Sequence, residues 1–173
     1  NPKKYSCKMA SKISVISLYK NVGSQRAIAI GIKYLNKFYK KKIKAIIIDS
    51  DGQDNPNIIS KLINTSIISP QNSIAVRRGQ RKEPVWFKIL YELYCFLIII
   101  FSYKKIRFGN FSLLNFEDLK KISGQSDLWS AYPPTLLNNV KNLNFINADR
   151  EKRFGGKSKM NFFGLIFHAL KVF

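Results

Sequence analysis

From Lys12 to Leu18 (KISVISL) apolar side chains, most of them β-branched, are interleaved with polar ones. That near-period of two predicts a strand, because successive side chains on extended backbone leave on opposite faces. Asn21-Val-Gly-Ser follows as a turn and a helix start. From Gln25 to Phe38 small and apolar residues recur at helical spacing, with Ala27, Ile28, Gly31, Ile32 and Leu35 on one stripe, so a helix is predicted there. Lys40 to Lys44 is a basic loop. Ala45 to Ile48 is a short unbroken apolar run that ends in acid, the pattern of a strand buried on both faces. Asn57 to Asn64 reads as the next helix, with Pro56 in its first turn. Ser73 to Val76 reads as another short strand.

Strands alternating with helices in this order predict βαβ crossovers and a mainly parallel sheet. In such sheets ligands bind beyond the carboxyl ends of the strands. The residues at those ends are Asn21 and Gly23, then Asp49 through Asp54, then Arg77 and Arg78. The second half has a different texture. Trp86 to Tyr103 is a long aromatic and aliphatic helix with little polar relief. Ile106 to Leu114 reads as a strand, and Phe116 to Ile122 as a short helix with Asn115 as N-cap. Ser123 to Asn139 holds Asp127 and a break at Pro133-Pro134. Leu143 to Asn147 reads as a last strand. A basic, Gly-rich loop from Arg150 to Lys159 leads into an amphipathic stretch, Phe162 to Phe173.

Composition narrows the classes. The 173 residues amount to one domain, and 46% hydrophobic content supports a packed core rather than a disordered chain. The longest apolar run, Leu93 to Phe101, falls short of the roughly 18–20 residues that a membrane-spanning helix needs. Two cysteines, Cys7 and Cys95, make neither a disulfide framework nor a zinc quartet. The single histidine, His168, leaves no His-based metal site and no Ser/His/Asp triad.

Thirty Lys and Arg against ten Asp and Glu give a formal charge of +20. Such a balance fits nucleic acid or an anionic membrane surface. A Lys-rich, Ile- and Asn-rich bias from an AT-rich genome accounts for the charge with no partner at all, as a solvated surface. The clusters Arg77–Lys82, Lys104–Arg107 and Arg150–Lys159 flank apolar or Gly-rich stretches, which compositional drift does not predict. No aromatic–basic platform or nucleic-acid motif is present, so nucleic acid is not an expected partner.

Three of the ten acids, Asp49, Asp51 and Asp54, stand within six residues. Carboxylates at i and i+2 just past a buried strand can aim oxygens at one hard cation, and Gln53 can add a neutral oxygen. Mg2+ and Mn2+ take such ligands and complete their shell with water and substrate phosphate. The plain alternative is an acidic loop that caps the next helix through Asp54 or Asn55.

The stretch IIIDSDGQDNPNIISKLI resembles the metal-binding segment of family 2 glycosyltransferases, nearest to the polyprenyl-phosphate, dolichol-phosphate mannose synthase-like branch. Four further segments resemble that branch in order and spacing. NVGSQRAIAIGIKYL is similar to its Asn-x-Gly turn and helix, and AVRRGQR to its strand ending in Arg. WFKILYELYCF, followed by GNFSLL, is similar to its membrane-surface helix and its Gly-Asp-Phe-Arg-Leu segment. RFGGKSKMN is similar to its Arg-x-x-Gly-x-Ser-Lys loop. The resemblance spans about residues 13–173.

The resemblance implies a truncated GT-A fold, a Rossmann-like, mainly parallel α/β sheet, with residues 1–173 forming one partial glycosyltransferase domain. It implies an inverting enzyme that transfers a sugar from a nucleotide-diphospho-sugar to a polyprenyl phosphate at the cytoplasmic face of the membrane. Asp49 and Asp51, with Gln53, would hold Mg2+ or Mn2+ on the donor diphosphate, and Arg77 and Arg81 would approach the same group. Arg153, Ser158 and Lys159 match the loop that grips phosphate near the acceptor, where Gly155 and Gly156 let backbone N–H groups approach an anion. Residues 86–103 and 162–173 would lie on an anionic membrane surface as amphipathic helices.

The chain departs from the pattern at Asn110, where the family has Asp, and at Ser112, where it has a second Arg. An Asn is no general base, and loss of a base on a hydroxyl acceptor slows transfer by roughly 10²–10⁴. A lipid phosphate is already an anionic nucleophile. Asp127 is the reserve base, with a cap beside Ser126 as its plainer role. The family's initial strand–helix–strand unit, which reads the nucleotide base, has no counterpart before Lys12, and roughly sixty residues are expected there. The 173-residue chain is therefore expected to be a fragment, inactive alone. The alternatives are a transferase acting on a hydroxyl of a cell-surface glycan, a degenerate transferase, and a non-catalytic basic binding module.

Overall fold

The computed structural model describes residues 13–39, 43–79, 108–149 and 151. The elements are helix α1 (Ser24–Phe38), strand β1 (Ala45–Ile47), helix α2 (Ile58–Ile68), strand β2 (Ser73–Arg78), strand β3 (Phe108–Leu114), helix α3 (Phe116–Ser123), a 3-10 turn (Ser126–Trp129), helix α4 (Tyr132–Asn139) and strand β4 (Leu143–Ala148). They form a mixed α/β structure around an open four-stranded sheet of order β1-β3-β2-β4. β3 pairs antiparallel with both β1 and β2, and β2 pairs parallel with β4.

The mainly parallel sheet expected from the element order is thus corrected. β1, β2 and β4 share one direction, but β3 runs the other way between β1 and β2, so one of the three pairings is parallel. In a simple βαβ unit the two strands joined by a helix are neighbours. Here the crossover through α2 leaves room for one strand. β3 fills it because it is apolar on both faces, with Phe111 and Leu113 on one and Phe108 and Leu114 on the other.

Each face carries a helical layer. α2 covers the face built from Ile74, Val76, Phe111 and Leu113, with Leu62 as its fully buried anchor. α1, α3, the 3-10 turn and α4 cover the other face, where Ala29, Ile32, Leu119, Ile122, Leu128 and Leu136 meet Ala75 and Leu114. Full burial of each such Leu or Ile contributes roughly 1.5–3 kcal/mol. Among the described residues no helix is long and apolar enough to cross a membrane.

Several expected boundaries shift for local reasons. Residues 13–18 pair with no strand of the sheet, and Ile13 and Val15 are 45% and 63% exposed. Alternation makes a segment competent for a sheet, but only a partner makes it a strand. Among the described residues β1 is an edge strand, and Ile46 and Ile47 are half-buried and Ile48 exposed, where burial on both faces was expected. Along this open edge a groove of about 410 Å³ runs between β1 and α1, lined by Ile28, Ile32, Leu35 and Ile48. Pro56 lies ahead of α2 rather than in its first turn. Pro133 and Pro134 start α4 instead of breaking the chain: a proline loses nothing in the first turn of a helix, where its missing N–H has no partner anyway. The helices expected at 86–103 and 162–173, and the loop 150–159 apart from Glu151, lie outside the described residues.

Part of the positive charge has a local use. The Nζ of Lys44 donates to the carbonyl of Ser66 near the end of α2 at 2.6 Å, that of Lys33 to Ser123 at the end of α3 at 2.7 Å, and that of Lys121 to Asn139 at the end of α4 at 2.6 Å. Carbonyls in the last turn have no helical partner and carry the negative end of the helix dipole, so an ammonium group suits each.

Candidate functional site

The carboxyl ends of β1, β2 and β4 and the amino end of β3 lie at one edge of the sheet. Asp49 stands there, two residues past the end of β1. Ile47 pairs with Ser112. Two residues further along the antiparallel pair, Asp49 therefore faces Asn110. The Asn110 side chain is buried (9% exposed), and its Nδ2 donates to Asp49 Oδ1 at 3.0 Å and Oδ2 at 3.3 Å.

The loop after Asp49 is tightly built. Asp51 Oδ1 accepts from the backbone N–H of Gln53 at 3.0 Å, and between them Gly52 takes φ 77°, a left-handed conformation that suits glycine. Asn55 Oδ1 accepts from the N–H of Asn57 at 2.9 Å and so turns the chain into α2. The cap expected at Asp54 or Asn55 is instead an Asn55 turn two residues ahead of the N-cap, Asn57. Glu151 docks on the same loop from beyond β4. Its N–H donates to the carbonyl of Gln53 at 2.9 Å, and its Oε1 accepts from Asn55 Nδ2 at 3.0 Å. A small cavity of about 10 Å³ lies beneath, lined by Asp54, Asn55, Gly109 and Asp149 among others.

The third wall comes from the start of α1. Asn21 Oδ1 accepts from the N–H of Gly23 at 2.9 Å, and Gly23, at φ 82°, turns the backbone into the helix. Gln25 then reaches the sheet edge. Its Nε2 donates to Asn110 Oδ1 at 3.2 Å, while its Oε1 accepts from the backbone N–H of Tyr132 at 2.8 Å. Sequence reasoning missed Gln25, although a signal was present. Ala29 and Ile32 are the fully buried residues of α1, and Gln25 lies four and seven positions before them. A polar residue on a buried stripe has to find partners.

The other predicted residues are placed as follows. Arg77, on β2, is exposed at its end, and its guanidinium lies 3.8 Å from the ring centre of Phe145 on β4. Asp127 is exposed in the 3-10 turn, where Ser126 Oγ donates to its Oδ1 at 3.3 Å, and it takes no part in the Asp49–Asn110–Gln25 network. Ser112 is fully buried, with its hydroxyl 2.5 Å from Tyr132 Oη and 3.0 Å from the carbonyl of Asn110, to which it donates. Burial pushes the Tyr132 phenol well above its ordinary range, and the Ser112 hydrogen bond offsets this only in part. Arg81, Arg153, Ser158 and Lys159 lie outside the described residues.

Among the described residues no group of three His, Cys, Asp or Glu side chains gathers around one point. By residue type Asp49, Asp51 and the side-chain oxygen of Gln53 offer a hard cation oxygen ligands only, and few of them. That set suits Mg2+ or Mn2+, which are commonly held by one or two carboxylates with the rest of the shell left to phosphate and water. No protein-family model matches the chain, and no curated protein matches it.

Proposed function

We propose that this chain carries the cation- and diphosphate-holding part of an inverting, family 2-like glycosyltransferase of GT-A fold, which transfers a sugar from a nucleotide-diphospho-sugar to a polyprenyl phosphate at the cytoplasmic face of the membrane. One observation carries the reading. Gln25 and Asp49, from two of the segments that resemble that family, both meet Asn110, from a third, at the sheet edge, and Glu151, just ahead of a fourth, docks on the acidic loop.

Asp49 and Asp51, with Gln53, would hold the Mg2+ or Mn2+. The cation supplies charge neutralisation on the diphosphate as the sugar–oxygen bond breaks and the electron pair leaves with that diphosphate. The acceptor phosphate oxygen attacks the anomeric carbon from the opposite face, which inverts its configuration. A phosphate monoester has its second pKa near 6, so it is mostly dianionic at pH 7 and has no proton to surrender. Asn110 favours this acceptor over a hydroxyl. The family's Asp position holds an amide, and Asp127 lies apart in its own turn.

The test is binding of Mn2+ to the 173-residue chain, followed by electron paramagnetic resonance with and without inorganic pyrophosphate. The expected result is Mn2+ uptake that needs pyrophosphate and is weakened at least about tenfold by Asp51→Ala. Uptake that is absent, or unchanged in Asp51→Ala, would overturn the reading.

A further inference from the structure

We infer that Gln25 and Asn110 form an amide relay whose polarity is set by the backbone of Tyr132 and which positions Asp49 for its cation. The inference rests on the functional reading above and adds two positioning residues to it.

The relay can be oriented without assuming any side-chain assignment. The N–H of Tyr132 is a backbone donor, so the Gln25 atom 2.8 Å from it must be the acceptor oxygen. The other end of the Gln25 amide is then its NH2 group, and its partner on Asn110 must be an oxygen. This in turn sends the Asn110 NH2 group toward Asp49, where it meets an ionised carboxylate, an acceptor only. Both fixed ends demand the same direction, and one backbone N–H therefore determines what Asp49 faces three groups away. Asn110 is enclosed, and its side chain donates across both Asp49 oxygens. A carboxylate held from behind in this way loses its rotational freedom and keeps its outward lone pairs for a cation, which is how partners behind a metal ligand usually act.

The test measures Mn2+ affinity in the presence of inorganic pyrophosphate for the wild-type chain, Gln25→Ala, Asn110→Ala, the double variant and Gln25→Glu. Each alanine variant is expected to weaken Mn2+ binding by about tenfold, and the double variant no further than Asn110→Ala, because Gln25 acts through Asn110. Gln25→Glu separates positioning from mere support of α4. The introduced carboxylate still accepts from Tyr132 N–H, so a structural role predicts wild-type affinity. It cannot donate to Asn110, so the relay predicts a loss, even though an added negative charge alone would tighten cation binding. Wild-type or tighter affinity in Gln25→Glu, or additive alanine effects, would overturn the relay.

The relay is also read without any metal, by nuclear magnetic resonance of the Asn110 side-chain amide protons. Asp49→Ala and Gln25→Ala are each expected to shift them and to speed their exchange with solvent; signals unmoved by both variants count against the relay. If the wild-type chain takes up no Mn2+ while these signals respond as expected, the functional reading fails and the relay's geometry stands without its assigned task.

Discussion

The side-chain amide of Asn110 donates to both oxygens of the Asp49 carboxylate, at 3.0 and 3.3 Å, across the seam between β3 and the end of β1. The contact joins the residue that departs from the glycosyltransferase pattern to the first aspartate of the acidic loop. An aspartate at position 110 would set two carboxylates against each other, and like charges so close cannot both ionise unless a cation lies between them. Asn110→Asp is expected to lower stability at neutral pH by about 1–3 kcal/mol in a chelator. Mn2+ should restore more stability to the variant than it adds to the wild-type chain. Urea melts with EDTA and with Mn2+ check both statements, and equal midpoints in EDTA would refute the first.

Ser112 stands where the resemblance places a second Arg, yet its side chain is fully enclosed and its hydroxyl meets Tyr132. A guanidinium there would need the space Tyr132 fills and would bury a charge without a partner. Ser112→Arg is therefore expected to destabilise the fold by more than about 3 kcal/mol. Loss of a cooperative thermal transition is the expected readout, and a melting temperature within a few degrees of wild type would show that this side of β3 opens more easily than its packing implies.

Tyr132 gives the fold an alkaline limit. Its phenol is neutral when protonated, and burial holds that proton in the native state beyond the ordinary range. In the unfolded chain it is lost near pH 10. Below that pH both states keep the proton and the contribution to stability is complete. Above it only the unfolded state has released the proton, and stability falls by about 1.4 kcal/mol per pH unit. Urea unfolding between pH 9 and 11 should show a steeper fall for the wild-type chain than for Tyr132→Phe; parallel curves would remove Tyr132 as the cause.

The helices and strands were largely legible in the sequence because each is a local pattern. α1, β2, α3 and β4 lie within two residues of their predicted limits, and Asn115 caps α3 as expected. What was illegible is what pairing decides. Nothing in residues 108–114 says that they insert antiparallel between β1 and β2, since no short hairpin turn joins them to either strand. The alternating segment at 13–18 carries the side-chain half of a strand without a neighbour in the sheet. At the site, Asp49 and Asp51 were legible because carboxylates are scarce in a chain of charge +20. Gln25 was not, because an uncharged amide declares itself only when the stripe it interrupts is known to be buried. The contact between residues 25 and 110 follows from the same insertion of β3 that the sequence did not show.

Opposite the candidate site, at the other end of β3, a second polar cluster is structural. Asn115 Oδ1 accepts from the N–H of Asp118 at 2.8 Å, and its Nδ2 donates to Asp118 Oδ2 and to the carbonyl of Gln71, both at 2.7 Å. Ser73 Oγ donates to the same Asp118 oxygen at 2.6 Å and accepts from the N–H of Asn115 at 3.1 Å. The cluster ties the start of β2 to the start of α3, and Asn115 and Ser73 are buried. Asn115→Ala removes the cap oxygen and leaves enclosed partners unsatisfied, so a loss of about 2 kcal/mol is expected. Asn115→Ser keeps an oxygen for the Asp118 N–H and gives up the two donated bonds, so its loss should be about half as large. Urea midpoints at a constant m-value provide the measurement. Equal losses for the two variants would mean that the cap oxygen contributes nothing and that the donated bonds alone hold the joint, because serine restores only the first.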